Sequence, residues 1–347
     1  MIFDLPDELS AREPPERRGL ARDQVRMLVA SPDGVAHARF ADLSAYLHPG
    51  DLLVVNTSAT LAAAVDGNRA DGSDVTVHFS TALDDGTWLV EVRPASGATA
   101  PVPDARAGER ITLPVGVAVT LARPHGRLWR ADVAVEGGVH RYLRRYGRPI
   151  TYAYVRDRYQ IEAYQTVFAR DPGSAEMPSA GRPFTTELVT AVVSAGIGVA
   201  PIALHTGVSS LEEGERPLPE RYRVPASTAR LVNLTRASGG RVVAVGTTVT
   251  RALETVAHVD GWVGAGAGWT DLLLDPSHPA RVVDGLITGW HAPGASHLLL
   301  LEAVAGADLV AAAYREALRA RYLWHEFGDS CLLLPKSAAV RSAAVAA

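Results

Sequence analysis

Four short, predominantly apolar runs recur along the chain: Leu52–Val55, Ile197–Leu204, Val242–Val245 and Val282–Thr288. They are rich in β-branched residues and lack a polar alternation, which predicts strands covered on both faces. Val25–Ala30 and Cys331–Leu334 read as further strands. Small or ligand-capable residues follow each of the four: Asn56-Thr57-Ser58, His205-Thr206-Gly207, Gly246-Thr247-Thr248, and a turn containing His291. In an α/β sheet the carboxyl ends of parallel strands share one edge, and ligands bind there. This convergence says more than any one residue does.

Helical periodicity fills the intervals. Val249, Ala252, Leu253, Val256 and Ala257 fall on one helix face, with Thr247 and Thr248 as N-caps. Backbone N–H groups, two hydroxyls and Arg251 at that helix start suit a carboxylate or phosphate. Phe40–Leu47, a helix capped by Thr185 or Thr186 and running through Ser194, Ser296–Ala305, and Leu309–Tyr322 capped by Asp308 complete the set. Tyr159–Arg170 is polar, aromatic and expected to be partly exposed. Val208–Pro225 and the glycine-rich Gly261–Gly268 read as loops, the latter flexible and without a phosphate-binding pattern.

Between Val65 and Arg148 the texture changes. Val75–Phe79, Trp88–Val92, Arg110–Leu113, Val117–Ala122 and Leu128–Val135 are short strand-like runs separated by turn residues, and helical signals are nearly absent. The chain therefore reads as α/β. A mixed α/β main domain (1–64 and 149–347) carries an inserted antiparallel β-barrel domain (65–148).

The 347 residues suffice for two domains of roughly 150 each. An apolar share of 47% supports a well-formed core, and a net charge of −4 gives no strong overall field toward nucleic acid. Arginines nevertheless cluster at Arg141–Arg148, Arg156 and Arg158, Arg216–Arg223, and Arg315–Arg321. Cys331 is the lone cysteine, so neither a disulfide within the chain nor a cysteine-rich metal site is expected. His37, His48, His78, His125 and His140 lack ligand spacing, and no metal is expected. The acidic-then-basic N-terminus and the absence of a long apolar run lead to the expectation of a cytoplasmic monomer without a membrane segment. The nucleotide-binding and hydrolase motifs G-x-x-x-x-G-K-[ST], G-x-G-x-x-G after a strand, H-E-x-x-H and G-x-S-x-G are all absent.

Read in order, FDLPDEL, FADLSAYLHPGDLLVVNTS, YQTVF, SAGRPFT, LHTGV, VVAVGTTVTRALET, DGLITGWHAPGASHLLLLEAVAG and FGDSCLLL span nearly the whole chain. In these blocks it resembles the S-adenosylmethionine:tRNA ribosyltransferase-isomerases of queuosine biosynthesis. The resemblance implies a mixed α/β fold with an inserted barrel. It implies S-adenosylmethionine as substrate, no further cofactor, and tRNA as partner. The ribosyl part would pass to an aminomethyl-deazaguanine base, adenine and methionine would leave, and an epoxycyclopentane would remain. The sulfonium acidifies the adjacent ribose methylene, so a protein base can start the reaction. By family match the binding residues are Asn56, Thr57, Gln165, Thr166, Ala180, Gly181, Gly207, Thr247, Thr248, Arg251 and His291. His205 is the expected acid/base residue, assisted by Glu162 or Tyr164.

Departures from the family pattern gather in loops. Ser58 replaces an arginine, and Pro178–Phe184 lacks a histidine. Gly207–Leu211 replaces a Gly-Ala-Gly-Thr-Phe run, and Glu215–Glu220 lacks both histidines of a His-x-Met-His-x-Glu segment. Gly289-Trp290-His291-Ala292-Pro293 stands for Asn-Phe-His-Leu-Pro. A kept donor pocket beside an altered acceptor site leaves two further readings: an enzyme using S-adenosylmethionine with a small-molecule acceptor, and a non-catalytic S-adenosylmethionine-binding protein.

Overall fold

The apolar runs form the centre of a nine-stranded sheet in the computed structural model, which describes residues 2–95, 100–208 and 218–335. The N-terminal region supplies β1 (Arg26–Ser31), β2 (Gly34–Arg39), β3 (Leu52–Asn56), β4 (Ser58–Thr60) and β5 (Ala64–Asn68). β6 (Asp74–Ala82), β7 (Trp88–Pro94), β8 (Arg110–Thr112), β9 (Ala118–His125) and β10 (Leu128–Ala134) follow, then helix α1 (Val139–Tyr146). Next come β11 (Asp171–Ser174), α2 (Thr186–Ser194), β12 (Gly198–Leu204), β13 (Glu220–Val224), α3 (Ala226–Ala237) and β14 (Val242–Val245). The rest supplies α4 (Thr247–Thr255), β15 (Gly266–Thr270), β16 (Gly285–Thr288), α5 (His297–Ala305), α6 (Ala307–Arg319) and β17 (Ser330–Leu333).

The sheet runs β15-β13-β12-β3-β14-β16-β17-β1-β2. Its four middle strands, β12, β3, β14 and β16, are parallel, while β13, β15 and β17 pair antiparallel to their inner neighbours. Leu204, Asn56, Val245 and Thr288 therefore end at one edge. Both faces are covered, as the unbroken apolar runs require. Leu52, Val54, Val242 and Ala244 join the core formed with α3 to α6, and Leu53, Val55, Val243 and Val245 join Phe40, Phe184 and Val192 on the other side.

β5 to β10 close into an antiparallel barrel filled by Val65, Val77, Phe79, Val90, Ile111 and Leu121. The chain arrives at the barrel and leaves it side by side: Ala64 and Arg148 exchange both backbone hydrogen bonds at 2.9 Å. Gly147 permits that approach, since a Cβ there would lie 2.0 Å from the Ala62 carbonyl oxygen.

Several local expectations are corrected. Residues 139–146 form a helix despite the barrel texture. Val139, Tyr142 and Leu143 bury one face, while Arg141, Arg144 and Arg145 point outward. The expected loops Val208–Pro225 and Gly261–Gly268 contribute to paired strands, 220–224 and 266–270: Ala203 faces Arg223, and Arg221 faces Trp269. The backbone ladder holds them, with Val224 packing into the core and Tyr222 against it. Gly246, at φ 99°, is the N-cap of α4, so Thr247 and Thr248 lie inside its first turn. That helix stops at Thr255, short of Val256 and Ala257. Gly306, not Asp308, precedes α6. Thr185 does cap α2, accepting the Leu188 N–H at 3.1 Å. The alanine-rich tail after Lys336, the altered Ser209-Ser210-Leu211 run and Glu215-Arg216-Pro217 lie outside the described residues. Among the described residues, no single helix is long and apolar enough to cross a membrane.

Candidate functional site

At the edge where the parallel strands end, the chain encloses a cavity of about 540 Å³. Its walls include the first turn of α4, the loop after β16, the start of α5, the Glu176–Ala180 segment, Tyr152 and Tyr154, and His325-Glu326. Of the sequence-predicted residues, Tyr164, Ala180, Gly207, Thr247, Thr248, Arg251 and His291 line it. Asn56, Thr57, Gln165, Thr166, Gly181, His205 and Glu162 do not.

Most of the second group build the wall from behind. Asn56 is buried at the end of β3. Its Oδ1 accepts the Leu204 and Ser58 N–H groups, both at 3.0 Å. Its Nδ2 donates to the Leu204 carbonyl at 2.8 Å and to Thr248 Oγ1 at 3.3 Å. One amide thus aligns three strand ends, where a four-bond Asn loses nothing to burial. Thr57 Oγ1 donates to the Ile202 carbonyl at 3.0 Å. Gln165 clasps Thr60 like a neighbouring strand, accepting its N–H at 3.0 Å and donating to its carbonyl at 2.8 Å. Thr166 Oγ1 accepts the Phe168 N–H at 3.2 Å, and Gly181 is buried next to Ala180.

The three expected catalytic residues separate. His205 Nδ1 lies 2.7 Å from Ser58 Oγ, which lies 2.6 Å from Ser174 Oγ. The imidazole fills the space a side chain at Gly173 would need, with a Cβ there only 2.4 Å from Nδ1. Burial lowers its pKa. Tyr164 is buried, packs on Phe327 at 5.2 Å, and is pushed up to about 12 by burial. Glu162 is a correction: on the single 3-10 turn Ile161–Tyr164, Tyr164 is buried while Glu162 is exposed and off the cavity.

Arg251 lines the cavity with its guanidinium already engaged by the protein. Nη1 pairs with Glu220, Nη2 donates to the Thr270 carbonyl at 3.2 Å, and Nε donates to the Leu272 carbonyl at 3.1 Å. Burial raises the Glu220 pKa, opposed by Arg251. What α4 does present is its first turn, with no side chain capping the N–H groups behind Gly246.

The structure gives the expected His291 partners that the sequence reading passed over. His291 and His297 stack face to face, centroids 4.6 Å apart and planes 1° apart. Burial holds His291 well below the ordinary imidazole range, with His297 and His325 contributing, and lowers His297 to about 4. His325 has φ 73°, lies parallel to Tyr154 at 4.1 Å, and is lowered to about 4 by burial. The neighbouring Glu326 accepts the Tyr154 hydroxyl, and burial raises its pKa. His297 opens an apolar helix and was read with it. Its place six residues after His291 was the available signal.

These neutral imidazoles, buried carboxyls and a helix N-terminus surround an apolar lining that includes Ile150, Trp290 and Leu300. Such a site can hold a partly apolar organic ligand carrying both an anionic and a cationic group, and can move protons on it. Among the described residues, no group of three or more His, Cys, Asp or Glu could hold a metal ion. The fold and site define an α/β protein with a ligand cavity at the carboxyl edge of its parallel strands and a barrel beside it.

Comparison with known proteins agrees. The model of the family described as queuosine biosynthesis protein matches residues 1–333, and the chain belongs to that family. Relatives named S-adenosylmethionine:tRNA ribosyltransferase-isomerase include that of Symbiobacterium thermophilum, 38% identical over 96% of this chain and 98% of that one. The Moorella thermoacetica protein of the same name is also 38% identical, with the same shares. The crystal structure of the S-adenosylmethionine tRNA ribosyltransferase of Thermotoga maritima covers 96% of this chain at 29% identity, with a TM-score of 0.54, and 99% of that chain is covered.

Proposed function

We propose that this protein transfers and isomerises the ribosyl part of S-adenosylmethionine onto a 7-deazaguanine base in tRNA, releasing adenine and methionine. The observation that supports it most is the cavity itself. At about 540 Å³ it falls in the size range of small-molecule sites, and it joins an uncapped helix start to buried, uncharged proton-transfer groups. The near-complete match to relatives named for the tRNA reaction favours it over a small-molecule acceptor or a mere binding protein.

In this reading the methionine carboxylate sits at the first turn of α4, against the N–H groups and hydroxyls of Thr247 and Thr248, while Arg251 holds Glu220 in place. Neutral imidazoles suit the sulfonium, since they add no like charge beside it. Ala180, Gly207, Tyr164 and His291 form the wall. Asn56, Thr57, Gln165, Thr166, Gly181 and His205 position it from behind. Residues 1–64 and 149–347 form the catalytic domain and 65–148 the inserted one. The outward arginines of α1 give tRNA phosphates a place to bind, in a cytoplasmic monomer that needs no cofactor beyond its substrate.

The test is to incubate the protein with S-adenosylmethionine and tRNA bearing the aminomethyl-deazaguanine, then digest the tRNA to nucleosides for mass spectrometry. The modified nucleoside should gain the epoxycyclopentane unit. An unchanged nucleoside, with S-adenosylmethionine consumed by the free base instead, would refute the tRNA assignment.

A further inference from the structure

We infer that His297 takes the proton from the ribose methylene beside the sulfonium and that His291 positions it; this rests on the reading of S-adenosylmethionine as substrate. The two imidazoles come from different elements, one from the loop after β16 and the other from the first turn of α5, yet they lie parallel within 1°. His291 is anchored at several points. Its Nε2 lies 3.0 Å from Thr288 Oγ1, its N–H donates to Tyr314 Oη at 3.2 Å, and its carbonyl accepts from Trp324 Nε1 at 3.1 Å. It is a fixed platform. The His297 ring rests on that platform and lines the cavity. Among the described residues, no hydrogen bond holds its nitrogens, which leaves them for substrate.

Burial and the Arg251 charge lower the His297 pKa to about 4, so the ring enters the step uncharged and able to accept a proton. Rings this close carry at most one positive charge between them. Arg251, whose charge acts on His297, is already paired with Glu220. Glu326 is bonded to Tyr154, and His325 is stacked on the same tyrosine. In the step itself, a methylene C–H bond breaks and its electron pair stays on carbon, stabilised by the adjacent sulfonium. The proton forms an N–H bond on His297. The substrate goes from cationic to neutral and the imidazole from neutral to cationic, so the charge inside the cavity does not change. The face of His291 beneath stabilises the new imidazolium. The same proton is then available to adenine as it leaves.

The test uses the full chain with precursor tRNA under single-turnover conditions at saturating S-adenosylmethionine, with affinity measured by calorimetry. H297Q should slow turnover by about 10²-fold or more, the usual scale for losing a general base, while S-adenosylmethionine affinity stays within about threefold. Deuterium on the ribose methylene should slow the wild type. Added imidazole should restore part of the rate to His297→Ala, which a packing defect would not allow. H297Q turning over within about threefold of wild type, or a slow His297→Ala indifferent to imidazole, would overturn the assignment. A wild type that fails to bind S-adenosylmethionine would instead refute the substrate reading beneath it.

Discussion

Asn56 holds Leu204 by both backbone groups, accepting its N–H at 3.0 Å and donating to its carbonyl at 2.8 Å. The ends of β3 and β12 are thereby fixed to each other, and the remaining Nδ2 proton reaches α4 through Thr248. Replacing Asn56 with Ala strands buried donors and an acceptor. The expected cost is about 2–4 kcal/mol, read from urea midpoints. Asn56→Asp should cost as much or more, because a carboxylate cannot donate to the Leu204 carbonyl. S-adenosylmethionine affinity should fall with either change, since the first turn of α4 loses its tie.

Arg251 and Glu220 form a buried pair, with side chains 10% and 14% exposed. Removing the arginine alone leaves a buried carboxylate without its partner and should cost about 3–5 kcal/mol. Removing both should cost less than the two single changes together. Simple additivity in thermal or urea unfolding would mean that the pair is not coupled.

Glu162 and His205 separate the sequence expectation from the site as built. Glu162 is exposed and off the cavity, so Glu162→Ala should keep activity within about twofold, as surface changes do. His205 contacts Ser58 rather than the cavity lining. His205→Gln should lower activity by less than about tenfold, well short of the loss of a general base. A loss in His205→Gln equal to that in H297Q would return the acid/base role to His205.

The fold was legible wherever side chains carried it. β3 and β14 announce themselves because burial on both faces demands apolar residues at successive positions. The β13 segment, Glu220–Val224, and the β15 segment, Gly266–Thr270, were hidden because their order comes from backbone pairing. The α1 segment carried its signal in Val139, Tyr142 and Leu143, which the surrounding arginines masked. At the site, the strand-end residues pointed to the correct edge. Which of them face the cavity depends on three-dimensional partners. Arg251 is separated from Glu220 by 31 positions, and Gln165 from Thr60 by 105.

Stability should depend on pH through the buried imidazoles. His297 and His325 are both lowered to about 4 by burial, below the ordinary 6.5. The unfolded chain therefore binds more protons between these values. Their contribution is complete above pH 6.5 and declines as pH falls toward 4. Glu91, buried against Arg93 and Arg127 and lowered to about 2, loses its own contribution only below pH 4.5. Melting temperature should thus drop between pH 6.5 and 4, less steeply in H297Q and in His325→Gln. Equal slopes in all three proteins would contradict the assignment of that dependence to these rings.

The central claim is the reaction with tRNA. Its most direct measurement follows adenine and methionine by mass spectrometry after the protein is mixed with S-adenosylmethionine, with and without tRNA carrying the deazaguanine precursor. The account predicts that both products appear in equal amounts, and only with that tRNA. Release without tRNA, or no release with it, would contradict the account.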